Sequence, residues 1–289
     1  VGIEQVRGTA GDDLFVGSRV DNSFRGLAGD DVIWGDSGAY YGNPEMGSWA
    51  DRWFDRDSWN SVKYDRDARY ENDAGKLGEN GITTEILNDS TGSMRITDGY
   101  GDTDTVHQIN GVTGTQFDDY IVTGDWENQL VGLAGNDYLD GGGQWDSADY
   151  REDYWQDGFG TQGVYVNLSN ETQQAYKVDT GEWINLASGK ALDSFGDIDT
   201  LVSIEGIRTS INDDTVWASD EGTSFRGYAG DDTFIGGADN DTMDYMYDDD
   251  AQQGIVVNLT GRTLDLDAGP FLTGHIVDSY GDVDYVESV

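Results

Sequence analysis

Large apolar residues recur along this chain at intervals of nine, and small and acidic residues lie between them. Residues 8–16 read GTAGDDLFV, residues 17–25 read GSRVDNSFR and residues 26–34 read GLAGDDVIW. Each block has Asp or Asn at its sixth position and a large apolar residue at its eighth. The same phase returns in residues 114–149 and 209–244. An internal repeat with this short period predicts a solenoid.

The two halves of the block predict different local structures. The first six positions are rich in glycine, which adopts positive φ angles without strain and favours a turn. The last three positions predict a short strand, whose middle side chain points away from its two neighbours. Stacked strands would line up these middle side chains as one apolar ladder inside the solenoid. The middle residues are Phe15, Phe24, Ile33, Ile121, Leu130, Leu139, Val216, Phe225, Phe234 and Met243.

The carboxylates at the sixth position would stack in the turns. Stacked carboxylates repel each other, and a hard divalent cation with oxygen ligands converts this repulsion into binding. The block resembles the nonapeptide G-G-x-G-x-D-x-U-x of the RTX family, the haemolysin-type calcium-binding repeat proteins. The resemblance implies an all-β fold, a right-handed parallel β-roll or β-helix in which turns two blocks apart share a calcium ion.

Calcium sharing of this kind implies pairs of ligands eighteen residues apart. The pairs that fit are Asp13 with Asp31, Asp119 with Asp137, Asp214 with Asp232, and Asn128 with Asp146. Two pairs depart from the pattern. Asp241 would share its ion with Thr223, whose hydroxyl is a poorer ligand, and Asn22 would face Tyr40.

A longer repeat groups the blocks into three units, 1–108, 109–203 and 204–289. Each unit has three or four blocks, an acidic and aromatic segment, a β segment, and an acidic turn that leads into a last strand. Matching parts lie about 85–106 residues apart, with the variation in the loops. We expect one continuous solenoid. Its two ends fall at nearly the same phase of the long repeat, which favours a piece of a longer array.

The acidic turn follows the pattern D-x-[FY]-G-D-x-D, with three carboxylates in seven residues. It is either a second class of calcium site or a solvated turn whose aromatic side chain packs on the roll. The acidic and aromatic segment, Asp149–Asp153 in the second unit, is either a set of calcium ligands or surface charge. The carboxylates of the turns are Asp98, Asp102, Asp104, Asp193, Asp197, Asp199, Asp278, Asp282 and Asp284.

An aromatic insertion, residues 36–63, occurs in the first unit alone. One interpretation is an exposed platform that stacks on sugar rings or on a neighbouring molecule. The other is a capping loop that buries its rings against the roll. The candidate platform residues are Tyr40, Tyr41, Trp49, Trp53 and Trp59.

The large negative charge of the chain bears on the conditions under which it folds. The formal net charge is −41, from 57 Asp and Glu against 16 Lys and Arg, which opposes compaction and excludes nucleic acid as a natural partner. About ten calcium ions would cancel roughly half of the excess. We therefore expect a chain that is largely unfolded without calcium and that folds when calcium binds.

Catalytic signatures do not stand out. The sequence has no HExxH zinc motif and no GxSxG elbow, and we expect no catalytic residue. The two histidines, His107 and His275, lie on strand-like stretches without a second His or a Cys nearby, so we expect structural roles for both. Cysteine is absent, so no disulfide is expected to hold the fold.

These features predict a calcium-binding extracellular repeat region of a bacterial protein, with a structural role in adhesion or surface assembly. Calcium sites of modest affinity need the millimolar calcium found outside cells. The alternative is a carbohydrate-binding or accessory module of a secreted polysaccharide-acting enzyme or protease. Expected partners are calcium, and polysaccharide or other copies of the chain. No apolar run predicts a transmembrane segment. The absence of an N-terminal leader is compatible with type I secretion and equally with a sequence cut from a longer chain.

Overall fold

The structure, a computed structural model, describes residues 3–18, 20–36, 59–88, 91–155, 160–246, 253–266 and 269–288. The chain divides into two compact units, Val1–Asp146 and Ser147–Val289. Strands dominate both units, and the described ranges contain no α-helix, although a 3-10 helix spans Arg151–Trp155. No helix within those ranges is long and apolar enough to cross a membrane.

The N-terminal unit contributes strands to two sheets. In the first, all pairs are parallel. Its strands, in spatial order, are β1 (Gln5–Arg7), β3 (Asn22–Arg25), β5 (Asn60–Lys63), β9 (Gly111–Thr113) and β11 (Gln129–Val131). The strands of the second sheet, in spatial order, are β2 (Leu14–Val16), β4 (Val32–Trp34), β8 (Thr103–His107), β7 (Ser93–Thr97), β6 (Thr83–Asn88), β10 (Tyr120–Val122) and β12 (Tyr138–Asp140).

The C-terminal unit repeats this plan. Its first sheet contains β13 (Ser147–Asp149), β19 (Gly206–Arg208), β21 (Ser224–Arg226) and β23 (Thr242–Met243), all parallel. Its second sheet contains, in spatial order, β18 (Ile198–Val202), β17 (Lys190–Leu192), β14 (Tyr165–Asn167), β20 (Thr215–Trp217), β22 (Thr233–Ile235), β28 (Val283–Glu287), β27 (His275–Val277) and β24 (Val256–Asn258). Two separate hairpins are formed by β15 (Gln173–Lys177) with β16 (Glu182–Leu186) and by β25 (Leu264–Leu266) with β26 (Gly269–Phe271).

The nine-residue period is confirmed as one turn and one strand. Consecutive blocks alternate between the two sheets, so partners in one sheet lie eighteen residues apart, as in Phe15 with Ile33 and Ile121 with Leu139. Middle side chains from the two sheets meet in the core, where the Phe15 and Phe24 rings lie 5.7 Å apart. All the predicted middle residues are buried except Met243, which is half-buried. Each unit is thus an all-β parallel β-roll.

The parallel roll also contains antiparallel pairs, which the sequence analysis did not predict. Each β segment and the strands after it form a three-stranded antiparallel insertion in the second sheet: β6–β7–β8, β14–β17–β18 and β24–β27–β28. The strand after each acidic turn then rejoins the parallel register, as when Ile33 pairs with Val106 and Phe234 pairs with Val286. The first and last strands of an insertion therefore run parallel, and only the middle strand is reversed.

Candidate calcium sites

Sixth-position side chains form hydrogen-bonded rungs between successive turns. The backbone N–H of Asp13 donates to Oδ1 of Asp31 at 2.7 Å, eighteen residues on. The same bond joins four of the five other predicted pairs, at 2.7–2.9 Å. These bonds run from Asp119 to Asp137, Asp214 to Asp232, Asn128 to Asp146, and Thr223 to Asp241. The structure therefore brings these predicted partners together.

The rung at Asn22 differs from the prediction. Its N–H donates to Oδ1 of Asn60 at 3.1 Å, 38 residues on, so Asn60 takes the place that the eighteen-residue spacing gives to Tyr40. Inserted residues between the two blocks displace the partner along the sequence while the rung geometry is kept. Tyr40 itself lies outside the described residues.

The acidic turns supply the next rung in the row of sixth-position side chains. The N–H of Asp31 donates to Oδ1 of Asp104 at 2.9 Å, 73 residues on, and that of Asp232 donates to Oδ1 of Asp284 at 3.1 Å, 52 residues on. The last carboxylate of the acidic turn is therefore a sixth-position residue that the interrupted spacing hides. Asp102 and Asp282 instead accept N–H bonds from Gly29 and Gly230, on the preceding turn.

Two kinds of nonapeptide turn alternate along this row. In the turns at Asp13, Asp119 and Asp214, the second Asp oxygen accepts the N–H of the residue four positions earlier, Thr9, Thr115 or Ser210. We call these closed turns, residues 8–13, 114–119 and 209–214. In the open turns, residues 26–31, 132–137 and 227–232, the second position is Leu27, Leu133 or Tyr228 in the left-handed region, at φ of 72°, 73° and 67°.

Open turns leave a carboxylate oxygen for a cation. Asp31 and Asp232 are each 1% exposed, and Oδ2 of each has no hydrogen-bond partner. Each lies against the glycine that begins its block, Gly26 or Gly227, where a Cβ would overlap Oδ2. Buried oxygens of this kind are ligands that calcium prefers. The donor set of the open turns therefore fits calcium, with Asp31, Asp137 and Asp232 as the side chains that would hold it.

Burial makes these carboxylates costly to ionise without a cation. It raises the pKa of Asp31 to about 7, with the charges of Asp13, Asp98 and Asp12 adding to the shift. Burial also raises the pKa of Asp232 far above its usual range, together with repulsion from Asp214 and Asp284. A calcium ion would supply the missing positive charge.

The three carboxylates of an acidic turn do not act as one ligand set. Oδ1 of Asp193 accepts the N–H groups of Phe195, Gly196 and Asp197 at 2.7–3.0 Å, which closes the turn. Among the residues that the structure describes, no three Asp, Glu or His side chains are grouped so as to hold a metal by themselves. A calcium ion at any of these turns would complete its shell with backbone carbonyl oxygens.

Fifth-position side chains form a second row that the sequence analysis did not single out. Oδ1 of Asp12 accepts the N–H of Asp30, and Oδ1 of Asp213 accepts that of Asp231, each eighteen residues on. These side chains are more exposed than the sixth-position ones. The repeated D-D pair at the fifth and sixth positions was the signal that could have revealed this row.

Of the aromatic platform, only Trp59 lies within the described residues; Tyr40, Tyr41, Trp49 and Trp53 lie outside them. Trp59 is 36% exposed, and its backbone N–H donates to Oδ1 of Asp21 at 2.6 Å. It lines a shallow groove of about 730 Å³ with Val20 and Lys63. The aromatic platform therefore stays a prediction.

Both histidines are held by structural contacts. His107 stacks on Trp34 with ring centroids 3.8 Å apart, and its Nδ1 lies 2.8 Å from Oγ of Ser93. Burial lowers its pKa. His275 packs edge-on against Phe271 and Tyr285.

Comparison with known proteins agrees with the geometry of the turns. The family described as RTX calcium-binding nonapeptide repeat (4 copies) matches residues 6–41, 113–148 and 217–245. These three stretches therefore match RTX calcium-binding repeats, as the resemblance of the blocks indicated, and the match supports a calcium-binding repeat module.

Among solved structures, the extracellular lipase LipA from Serratia marcescens is similar to this chain at 12% identity and a TM-score of 0.16. The match covers 100% of this chain and 38% of the lipase chain. A score this low carries no argument about function. No curated protein matches the sequence.

Proposed function

We propose that this chain is an extracellular module that folds when calcium binds and then acts as a structural scaffold for adhesion or surface assembly, with no catalytic role of its own. The observation that supports this most directly is the pair of orphaned oxygens in the open turns, Oδ2 of Asp31 and Oδ2 of Asp232. Without a cation, each carboxylate must either stay charged without a counter-charge or take up a proton, because burial disfavours the ionised form.

Several basic residues in the described part of the chain pair with carboxylates away from the open turns. Arg25 contacts Asp65 at 2.7 Å, and Arg226 pairs with Asp244. Asp149 is paired with Arg151 at 3.4 Å and Arg208 at 3.6 Å. These ion pairs lie on strands or segments of the first sheet, so they do not neutralise the open turns of the second. None of these described ion pairs supplies compensating charge to those turns, and an external cation would supply it.

A calcium titration followed by circular dichroism tests the proposal. We expect a coil-to-β transition at sub-millimolar to millimolar calcium, which matches the medium outside cells. Light scattering on the same sample separates the two roles: growth of scattering with calcium supports self-assembly, and its absence turns attention to polysaccharide as the partner. A chain that is fully β-structured in excess chelator would contradict calcium-dependent folding.

A matched pair of variants ties the transition to the open turns. Asp137→Ala removes a sixth-position carboxylate, whereas Thr223→Ala removes a sixth-position hydroxyl. We expect Asp137→Ala to raise the calcium midpoint by about ten- to hundredfold, since a hydrogen-bonded charged ligand contributes about 1.5–3 kcal/mol. Thr223→Ala should shift the midpoint much less. Equal midpoints would show that the turn carboxylates are not the sites that drive folding.

A further inference from the structure

A buried tyrosine links each acidic and aromatic segment to an acidic turn. The hydroxyl of Tyr64 donates to Oδ2 of Asp104 at 2.8 Å, that of Tyr150 to Oδ2 of Asp199 at 3.0 Å, and that of Tyr245 to Oδ2 of Asp284 at 2.6 Å. Three occurrences at matching positions show that the segment and the turn form one structural element. We call it the tyrosine–turn element.

The first carboxylate of each acidic turn has one oxygen engaged and one left over. Oδ1 of Asp98, Asp193 and Asp278 accepts two or three backbone N–H groups of its own turn. Oδ2 of all three is buried and has no hydrogen-bond partner, and the residues are 0% exposed. The turn alone needs only Oδ1, so its architecture does not account for this second oxygen.

A second buried carboxylate lies beside the acidic turn, on the tyrosine side. Asp153 lies three residues after Tyr150, is 0% exposed, and has no well-formed hydrogen bond at either oxygen, although Ser194 lies beside it. A Cβ atom added at Gly160 would meet the side chains of both Asp153 and Ser194, so Asp153 lies next to the turn that Asp193 begins. Burial raises the pKa of Asp153, and the next largest causes are the charges of Asp193 and Asp199. No described basic side chain forms an ion pair with Asp153.

The N-terminal unit has the same arrangement. Asp67 lies three residues after Tyr64, is 1% exposed, and accepts the N–H of Gly99 at Oδ2. Burial raises its pKa to about 9, followed by the charges of Asp98 and Asp104. The corresponding position after Tyr245 is Asp248, which lies outside the described residues.

We propose that Asp153 and Oδ2 of Asp193 hold a calcium ion of their own, separate from those of the nonapeptide turns, and that Asp67 and Asp98 hold its counterpart. Four features carry this inference: the burial of all four carboxylates, the unpartnered oxygens of Asp98, Asp153 and Asp193, the position of the second carboxylate beside the turn, and recurrence in two units. Oxygen-only donors favour a hard cation, and backbone carbonyls would complete the shell. The inference rests on the proposed function only in taking calcium as the cation that the chain meets.

The substitution Asp193→Asn tests this site without opening the turn. An amide oxygen can still accept the N–H groups of Phe195, Gly196 and Asp197, while the NH₂ group replaces Oδ2 and can donate to Asp153. We expect the folded variant to bind one calcium ion fewer per chain, measured by equilibrium dialysis. Asp153→Asn should lose the same ion, and the double variant should lose no more than either single variant.

An exposed carboxylate in the same unit provides the control. Glu171→Gln removes the same charge from the surface and should leave the ion count unchanged. If Asp193→Asn keeps the full ion count, Asp153 and Asp193 hold no calcium and the proposal is wrong. The wild-type transition with calcium is measured separately, so this failure would leave calcium-dependent folding intact. If either variant does not fold, Asp98→Asn in the N-terminal unit decides by the same ion count.

Discussion

At the scale of single residues, the open turns place a large side chain in a backbone conformation that favours glycine. Leu27, Leu133 and Tyr228 have φ near 70°, where an ordinary residue is strained by about 1–2 kcal/mol. In the turns of Leu27 and Tyr228, Oδ2 of the carboxylate that follows has no hydrogen-bond partner. Backbone strain there accompanies an oxygen that could bind a cation, which is typical of binding sites.

Leu133→Ile should therefore destabilise the protein by about 1–2 kcal/mol, although the two residues have the same volume. A β-branched side chain is poorly tolerated at positive φ. Leu139→Ile is the control, because Leu139 is equally buried but lies in strand β12. Urea unfolding of the calcium-loaded variants measures both free energies. If the two substitutions cost the same, the left-handed turn is not strained as described.

At the scale of elements, the unit of stability is the ladder of middle side chains. Phe225 and Phe234 stack with centroids 5.1 Å apart and are both 0% exposed, whereas Met243, which pairs with Phe225 on the other side, is half-buried. Each middle side chain contacts mainly its neighbours in the ladder, as in other solenoids. Truncating one of them should lower the free energy of unfolding in proportion to its burial.

We expect Phe234→Ala to lower the free energy of unfolding by about 3–5 kcal/mol and Met243→Ala to lower it by clearly less. The measurement is chemical denaturation at saturating calcium, with an unchanged m-value as the sign that both variants unfold in the same way. A larger loss for Met243→Ala would mean that the ladder is not packed in the order of burial seen here.

The nonapeptide period was enough to predict strands, sheet partners and the core, because one spacing determines all three. It was not enough where the spacing is interrupted. Alternating apolar residues predict a strand but not its direction, so the reversed β7, β17 and β27 were missed. Asn60 and Asp104 were not predicted as rung partners, since a fixed interval of eighteen cannot follow an insertion. Asp67 and Asp153 could be noticed only as part of acidic segments, because their burial is a tertiary property.

At the scale of the whole molecule, buried carboxylates connect folding with pH as well as with calcium. In the calcium-free chain, burial is the main cause that raises the pKa of Asp31 and Asp98 to about 7 and of Asp284 to about 6, from a usual 3.8. The folded state thus binds these protons more tightly than the unfolded chain does. Their contribution to stability is fully present below about pH 4 and is lost as pH rises through 6 to 7.

Acidification in chelator should therefore promote folding, the reverse of ordinary acid denaturation. We expect more β-structure at pH 5 than at pH 8 by circular dichroism when calcium is absent. With subsaturating calcium the dependence should reverse, because protons compete with the ion for the same oxygens. Less β-structure at pH 5 than at pH 8 in chelator would contradict the burial of these groups.

The hydrogen-bonded rungs allow the length of the chain between two blocks to vary. The same N–H···Oδ1 bond joins residues 18, 38, 52 or 73 positions apart, so it forms whatever the length of the segment between its two partners. The entropic cost of closing a loop rises slowly with its length, by about 0.6 kcal/mol for each doubling. We therefore expect the roll to accept insertions between its blocks. Inserted loops can add new surface features while the strands and their hydrogen bonds stay the same.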